Sequence, residues 1–436
     1  MKKVVISVAA AAAVVWGAWV YFNQPAEETN AEPARANTVL DKGLYGMEYD
    51  DYNFEAIAAA ADKKWNAVGC SEVRRGNFIG RNLDWYINNE ASAVIKVNAK
   101  QGDSFETSRF ASIGVVGSMP EFSVAAAESG EYEAFYQMMP VPTVDGINEN
   151  GVYMGINVTA TGETSFDKSK WVSGAWGLGA NNTNNPESQK NYCVALMIRY
   201  VLDHAKDYED AKNLIKSVNW YEPNGFPHEG ESQAFHWLLC DANHSCVVEF
   251  VDGQIYFNEA EDICKPSYGT IMTNFSNTML NPTFVKEPIY QNHGCGFERW
   301  DVLAKNYDMA TDAEGMKNLM SKVWYTNSYS KPLDSEDFFF SEFYCDEYPG
   351  GYLYTKGAEM WKEEAFREKA AKGQADLANK ALWHIDETPL WYTTHTSVYD
   401  IEKRELNVLI HEGKDGMTEW YKADLNTSFA KPLNLK

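Results

Sequence analysis

Cys70 is the residue of this 436-residue chain whose type and setting most directly permit chemistry. A thiol is a good nucleophile and is partly ionised near neutral pH, but it needs a base at hand and donors for the oxyanion that forms after attack. Cys70 follows Gly69 at the end of a stretch with helix and linker character, and it opens a strand-like run. Cleavage of the Gly69–Cys70 bond would free an α-amine with a reference pKa of about 7.7, placing nucleophile and proton acceptor on one residue. No histidine partner nearby in sequence is then needed. The alternatives are half of a disulfide or a buried small hydrophobe.

The turn Arg74-Arg75-Gly76-Asn77 makes Cys70 to Asp84 read as a hairpin that begins at the cysteine. Paired strands lie about 5 Å apart, so Cys70 falls close to Arg81-Asn82-Leu83-Asp84, which supplies a cation and a carboxylate. Strict alternation puts Arg81 and Leu83 on one side and Asn82 and Asp84 on the other. A site that uses both charges therefore requires a bulge or the sheet's twist.

Further along come Asp145-Gly146-Ile147-Asn148-Glu149-Asn150-Gly151 with Gly155-Ile156-Asn157, then Met272-Thr273-Asn274, then Gly294-Cys295-Gly296-Phe297-Glu298-Arg299. The closing pair is His395-Thr396-Ser397-Val398-Tyr399-Asp400 into Leu406-Asn407-Val408. With Cys70 and Gly80-Arg81-Asn82-Leu83-Asp84-Trp85, these blocks in this order resemble the choloylglycine hydrolases, from about Cys70 to Gly413. That family includes bile salt hydrolases and penicillin V acylases, with acid ceramidase and the N-acylethanolamine amidase as more distant cousins. The interval from Cys70 to Arg81 is shorter than is usual there.

The resemblance implies an α+β fold, a four-layer αββα sandwich of antiparallel sheets of the N-terminal-nucleophile hydrolase type. It implies hydrolysis of a linear, non-peptide amide through an acyl-enzyme. Cys70 would be the nucleophile with its freed α-amine as base, and Asp84 would hold that amine. Arg81 and Arg299 would set the electrostatics around the sulfur, and the side chain of Asn274 and a group at Asn157 would form the oxyanion hole. The substrate would be a small acyl amide. Members of the family divide among bile salts, phenoxyacetylated β-lactams, acyl homoserine lactones and fatty-acyl amides. Trp85, Tyr86 and the run Phe135-Tyr136-Gln137-Met138-Met139 favour an apolar acyl pocket. Two competing readings are a bile salt hydrolase within the family, and a non-catalytic exported binding or scaffold domain whose precursor stays uncut.

The elements that position these residues read as follows. Lys2 and Lys3 precede an apolar stretch from Val4 to Phe22, so residues 1–22 are expected to be a signal peptide or membrane anchor. The rest of the chain then lies in the periplasm, outside the cell, or tethered to the membrane through residues 4–22. Residues 23–69 are expected to be a linker and removable propeptide, with a helix over Phe54 to Trp65. Residues 70–436 are expected to be one domain, with Pro282–Pro288 as the alternative boundary.

Strands are expected over Phe78 to Trp85, Ser92 to Val97, Phe110 to Val116, Val152 to Val158, Ala234 to Cys240, Cys246 to Val251, Gln254 to Asn258 and Tyr268 to Asn274. A last hairpin pairs Thr394 to Tyr399 with Glu405 to His411. Helices are expected over Tyr192 to His204, Tyr208 to Val218 with Asp207 as N-cap, and Lys362 to Lys380.

Composition narrows the function classes. Hydrophobic residues make up 45% and aromatics 14%, which is ample for a large core, and 62 acidic against 38 basic side chains give a formal charge of -24. Such a surface repels nucleic acid, so no nucleic-acid partner is expected. No metal or cofactor is expected either: His228-Glu229 and His411-Glu412 lack a second histidine at helical spacing, and no glycine-rich loop stands in nucleotide-binding order. Assembly into a homo-oligomer is left open. Seven cysteines are an odd number for an oxidising compartment, and a disulfide between Cys240 and Cys246 competes there with two buried thiols.

Overall fold

Gly76 adopts a positive φ of 55°, a conformation that glycine reaches without the steric cost of a Cβ. It closes the expected hairpin between β3 (Cys70–Arg75) and β4 (Phe78–Tyr86). The pairing sets Cys70 opposite Leu83 and Glu72 opposite Arg81. This hairpin forms part of a larger sheet. The computed structural model describes residues 38–41, 44–55, 70–86, 91–119, 139–158, 165–167, 187–221, 235–287, 297–324, 391–410 and 418–431.

Among the described residues, a six-stranded sheet runs in the order β14 (Ile271–Met272), β3, β4, β15 (Trp391–Asp400), β16 (Glu405–Ile410) and β17 (Tyr421–Asp424). A nine-stranded sheet runs β1 (Thr38–Asp41), β2 (Leu44–Tyr49), β5 (Ala91–Val97), β6 (Ser112–Met119), β7 (Asp145–Asn148), β8 (Tyr153–Val158), β11 (Phe235–Cys240), β12 (Ser245–Val251) and β13 (Gln254–Glu259). The short strands β9 (Asn191–Cys193) and β10 (Asn219–Tyr221) pair with each other.

The core lies between the two large sheets. Leu44, Val94, Ile113, Ile147, Tyr153, Leu238 and Val247 from one sheet pack with Ile79, Met272, Tyr399, Leu406 and Val408 from the other. Helices cover the outer faces: α1 (Met197–His204) lies on β7 and β8, with α2 (Tyr208–Lys216) beside it. On the other side α3 (Phe297–Lys305) lies on β3 and β14, and α4 (Ala313–Ser321) on β4 and β15. The result is the expected αββα layering, and strands covered on both faces, such as β2, β11 and β12, are buried along their whole length. Asp207 caps α2 as expected, accepting a 2.8 Å hydrogen bond from the Asp210 N–H.

Several expectations change. Residues 38–41 and 44–49, read as part of a linker and removable propeptide, form β1 and β2, and β2 pairs in parallel with β5 inside the nine-stranded sheet. The parallel pairing follows from the connection, which passes through β3 and β4 in the opposite sheet. Tyr192 and Cys193 are strand, with α1 starting only at Met197, and the strand expected over Tyr268 to Asn274 shrinks to β14. No boundary falls at 282–288, because the six-stranded sheet takes strands from both sides of it.

Cys240 and Cys246 remain thiols. Cys240 stands opposite Ser245 and Cys246 opposite Leu239, so the two sulfurs leave opposite faces of the hairpin. The apolar run 4–22, the helix expected at 54–65 beyond residue 55, and the helix expected at 362–380 lie outside the described residues.

Strand β2 is as buried as any part of the core, with Met47 fully buried among Tyr45, Tyr49, Ile95 and Val116. Met47→Asp is expected to lower the unfolding free energy by several kcal/mol, the cost of an unpaired buried charge. A chain started at Cys70 uncovers one edge of β5 and is expected to aggregate on expression. Urea unfolding of the first and the soluble yield of the second check both; a soluble, cooperatively melting chain from Cys70 onward would show that β1 and β2 are dispensable.

Candidate active site

Cys70 is the first residue of β3 and is fully buried. Side chains hold its backbone on both sides. Its N–H donates to Asn274 Oδ1 at 3.0 Å, and its carbonyl oxygen accepts from Arg299 Nη1 at 2.6 Å. The same Arg299 Nη1 donates to Asp84 Oδ2 at 2.9 Å, while Nη2 donates to Asn274 Oδ1. Asp84 Oδ1 accepts from Thr393 Oγ1 at 2.7 Å. The arginine from α3, the asparagine after β14 and the aspartate of β4 thus meet around the backbone of one residue.

The sulfur is served from the other side. Arg81 Nη2 lies 3.6 Å from Cys70 Sγ and donates to the Ile156 carbonyl at 3.0 Å. Its Nε donates to Glu72 Oε1 and its Nη1 to Asp145 Oδ2, both at 3.2 Å. Arg81 shares a face with Cys70 and Glu72, between the sheets, whereas Asp84 follows the alternation to the opposite side. The β3–β4 pairing has no register shift, so the two charges stay on opposite faces; the expected irregularity is absent there, and the shift lies on β15 between Thr393 and His395, opposite Asp84 and Leu83.

Burial dominates the electrostatics. It pushes the Cys70 thiol up to about 12; the Arg81 cation pulls it back, the Asp84 charge adds to the rise, and the Asp84 backbone N–H favours the thiolate. The buried sulfur is therefore protonated at neutral pH. Burial likewise raises Asp84 to about 6 against the pull of Arg299 and the Thr393 hydroxyl.

Five of the six expected residues, Cys70, Arg81, Asp84, Asn274 and Arg299, come together. In the intact chain the Cys70 N–H donates to Asn274, and Asp84 anchors Arg299. Asn157 is fully buried on β8, and its Nδ2 is spent on the Met272 and Thr273 carbonyls at 3.3 Å. With the amide rotated, the nitrogen reaches the Ile156 carbonyl at 2.8 Å and Glu72 Oε1 at 3.0 Å. In both orientations the side chain donates to these acceptors and not to the Cys70 sulfur.

The sequence reading missed His236 and Glu249. His236 bridges the Thr273 carbonyl at 2.8 Å and Glu249 Oε1 at 2.9 Å. Glu249 also accepts from Ser276 Oγ and from the Asn277 and Thr278 N–H groups, each at 2.8 Å. Burial alone would raise that carboxyl, but the bonds from His236 and Thr278 outweigh it and hold it below its ordinary value. The pair pins the loop that presents Asn274. Its signal was there to be read: two titratable residues inside otherwise apolar strand runs.

The family model of the linear amide C–N hydrolases, choloylglycine hydrolase family, matches residues 68–293, a little over half of the chain. That span contains Cys70, Arg81, Asp84 and Asn274 and ends before Arg299. No curated protein matches. Among solved structures, a mutant conjugated bile acid hydrolase from Clostridium perfringens is 14% identical, over 82% of this chain and 93% of its own, with a TM-score of 0.38. A penicillin V acylase from Agrobacterium tumefaciens is 13% identical, over 82% and 86%, with a TM-score of 0.34.

Arg299→Ala leaves Asp84 buried without its cation and is expected to cost about 3–5 kcal/mol of stability. Adding Asp84→Asn removes the stranded charge and should return a large part of that loss. Urea unfolding of the single and double variants measures both; equal stability of the two would remove the ion pair as the cause.

Proposed function

Because the chain belongs to the choloylglycine hydrolase family of linear amide C–N hydrolases, we propose that it is activated by its own cleavage at Gly69–Cys70 and hydrolyses small acyl amides through a Cys70 thioester. The observation that carries this reading is Asn274 Oδ1 at 3.0 Å from the Cys70 nitrogen, the atom that the cut turns into an α-amine. Asn274 Oδ1 accepts from that nitrogen and from Arg299, and we assign Nδ2, the donor of the same amide, to the oxyanion.

The chemistry then runs in two halves. The α-amine takes the Sγ proton and the thiolate attacks the amide carbon, with Arg81 beside the sulfur. The tetrahedral oxyanion collapses as the α-ammonium returns the proton to the leaving amine, leaving an acyl-thioester. Water, deprotonated by the same amine, attacks the thioester and releases the carboxylic acid and the thiol. Lys2-Lys3 and the apolar run after them support work outside the cytosol, as a released or tethered enzyme.

Within the family, an aromatic or medium-length acyl amide suits this chain better than a taurine- or glycine-conjugated sterol. The net charge of -24 repels anionic conjugates. The two arginines that could offset it are buried and already paired, Arg81 with Glu72 and Asp145, Arg299 with Asp84.

Cys70→Ala is expected to accumulate as one uncut chain, while the native protein gives a new amino terminus at Cys70, read by mass spectrometry. The fragment ending at Gly69 should co-elute with the remainder, because β2 lies inside the nine-stranded sheet. A native chain that keeps the Gly69–Cys70 bond and hydrolyses nothing would favour the scaffold reading. The substrate preference is checked by kcat/KM on penicillin V, an acyl homoserine lactone, an acylethanolamine and a glycine-conjugated bile acid, with Cys70→Ala as the blank; the bile acid is expected to be the poorest, and a bile acid that comes out best overturns the preference.

A further inference from the structure

Arg81 is fully buried, and every arm of its guanidinium is engaged. Beyond the contacts to Cys70 and Ile156, three titratable groups surround it. Glu72, two residues after the nucleophile on the same face of β3, takes Nε from within the same sheet. Asp145, at the start of β7 in the other sheet, takes Nη1, and it also accepts from the Tyr399 hydroxyl. His395, next to the β15 register shift, brings Nε2 to 3.3 Å from Arg81 Nη1 and 3.6 Å from Asp145 Oδ2. All three are fully buried. Two carboxylates in two sheets fix the plane of the guanidinium, so that its remaining edge, Nη2, points at the sulfur.

The glycine at 155 is a separate sign that this space is shaped for the Glu72 carboxylate. A Cβ there would lie 2.5 Å from Glu72 Oε2, 2.7 Å from Oε1 and 2.6 Å from the Tyr153 hydroxyl. We propose that Glu72 is a positioning residue of this hydrolase, which together with Asp145 and His395 holds Arg81 against the Cys70 sulfur. The proposal rests on the hydrolase reading above.

Charge balance makes the role of Glu72 pH-dependent. One guanidinium faces two carboxylates in a dry space, and a second negative charge there is uncompensated. The groups that face Glu72 are Cys70 on its own strand, Arg81 on β4, Asp145 on β7, Tyr153 on β8, Cys240 on β11 and Tyr399 on β15. Asp145 is the ionised partner: burial would raise it, but the bond from His395 and the charge of Arg81 hold it below its ordinary value. Glu72, raised by burial to about 8 against the pull of Arg81, keeps its proton at neutral pH. As pH rises through that value Glu72 gains its charge, which draws on Arg81 and disfavours a thiolate at Cys70. Reactivity of the sulfur therefore falls on the alkaline side.

The test uses the processed protein and two readouts: the rate of Cys70 alkylation by iodoacetamide, which needs no substrate, and kcat/KM on an acyl amide. Glu72→Ala is expected to lower both by about 10- to 100-fold, the scale of a catalytic group displaced by an ångström, with the loss in kcat and not KM. Glu72→Gln, which keeps the hydrogen bond and cannot ionise, should rescue most of that loss and erase the alkaline decline near pH 8. Gly155→Ala, which alters no charge, should resemble Glu72→Ala by pushing the carboxylate aside.

Thermal melts identify any variant that fails to fold, and Glu72→Gln then carries the decision through its pH profile. An alkaline decline that survives in Glu72→Gln, or a folded Glu72→Ala with native alkylation and kcat, overturns the proposal. Loss of alkylation without any hydrolysis in the native protein would uphold the positioning role and overturn only the hydrolase reading.

Discussion

A guanidinium taken out of water costs several kcal/mol unless its N–H groups find acceptors and its charge finds a partner. In this molecule Arg81 is completely buried between two sheets, and both conditions are met by groups from three strands: Glu72 and the sulfur on β3, Asp145 on β7 and Ile156 on β8. The core between the sheets is otherwise dominated by Ile, Leu, Val and Tyr, with Cys240, Met272, Ala423 and Phe429. Moving either sheet breaks several of those contacts at once, so the separation and register of the sheets around Cys70 are tied to this one side chain.

Arg299 does a different job. It grips the backbone of Cys70 through the carbonyl oxygen and ties it to Asp84 and Asn274. One arginine therefore acts on the sulfur and the other on the main chain, from opposite faces of the same strand. Between them they leave Cys70 few ways to move, which suits a residue whose sulfur and nitrogen both take part in the proposed chemistry. The loop carrying Asn274 is held with similar redundancy, since Glu249 accepts from three of its groups and from His236.

The segment before Cys70 belongs to the architecture. Glu48 on β2 accepts from Asn98 and from the Phe429 N–H, and the Glu48 N–H donates to the Ala430 carbonyl. Residues near the two ends of the described chain are thereby stitched together beside β5. The proposed cut at Gly69–Cys70 would leave this segment buried in the sheet and would change the chemistry of one nitrogen while the core stays filled. In the intact chain, burial keeps the thiol protonated.

Local pattern alone was enough to identify the β3–β4 hairpin with its Gly76 turn, the Asp207 cap and the β15–β16 pair, because a glycine turn, a capping aspartate and two-residue alternation each act over a few neighbouring residues. Cys70, Arg81 and Asp84 were legible from the same hairpin, whereas Asn274 and Arg299 were singled out only by the resemblance of their blocks to the choloylglycine hydrolases. What each of them touches was not legible. That Asn274 takes the Cys70 nitrogen, that Asn157 turns to carbonyls, and that Cys240 and Cys246 point away from each other depend on register and on which sheets face one another. The place of β2 inside the sheet followed the same rule, since all six of its residues pair with β5, about fifty residues away in the chain. Long-range pairing decides such contacts, and no window of sequence contains both partners.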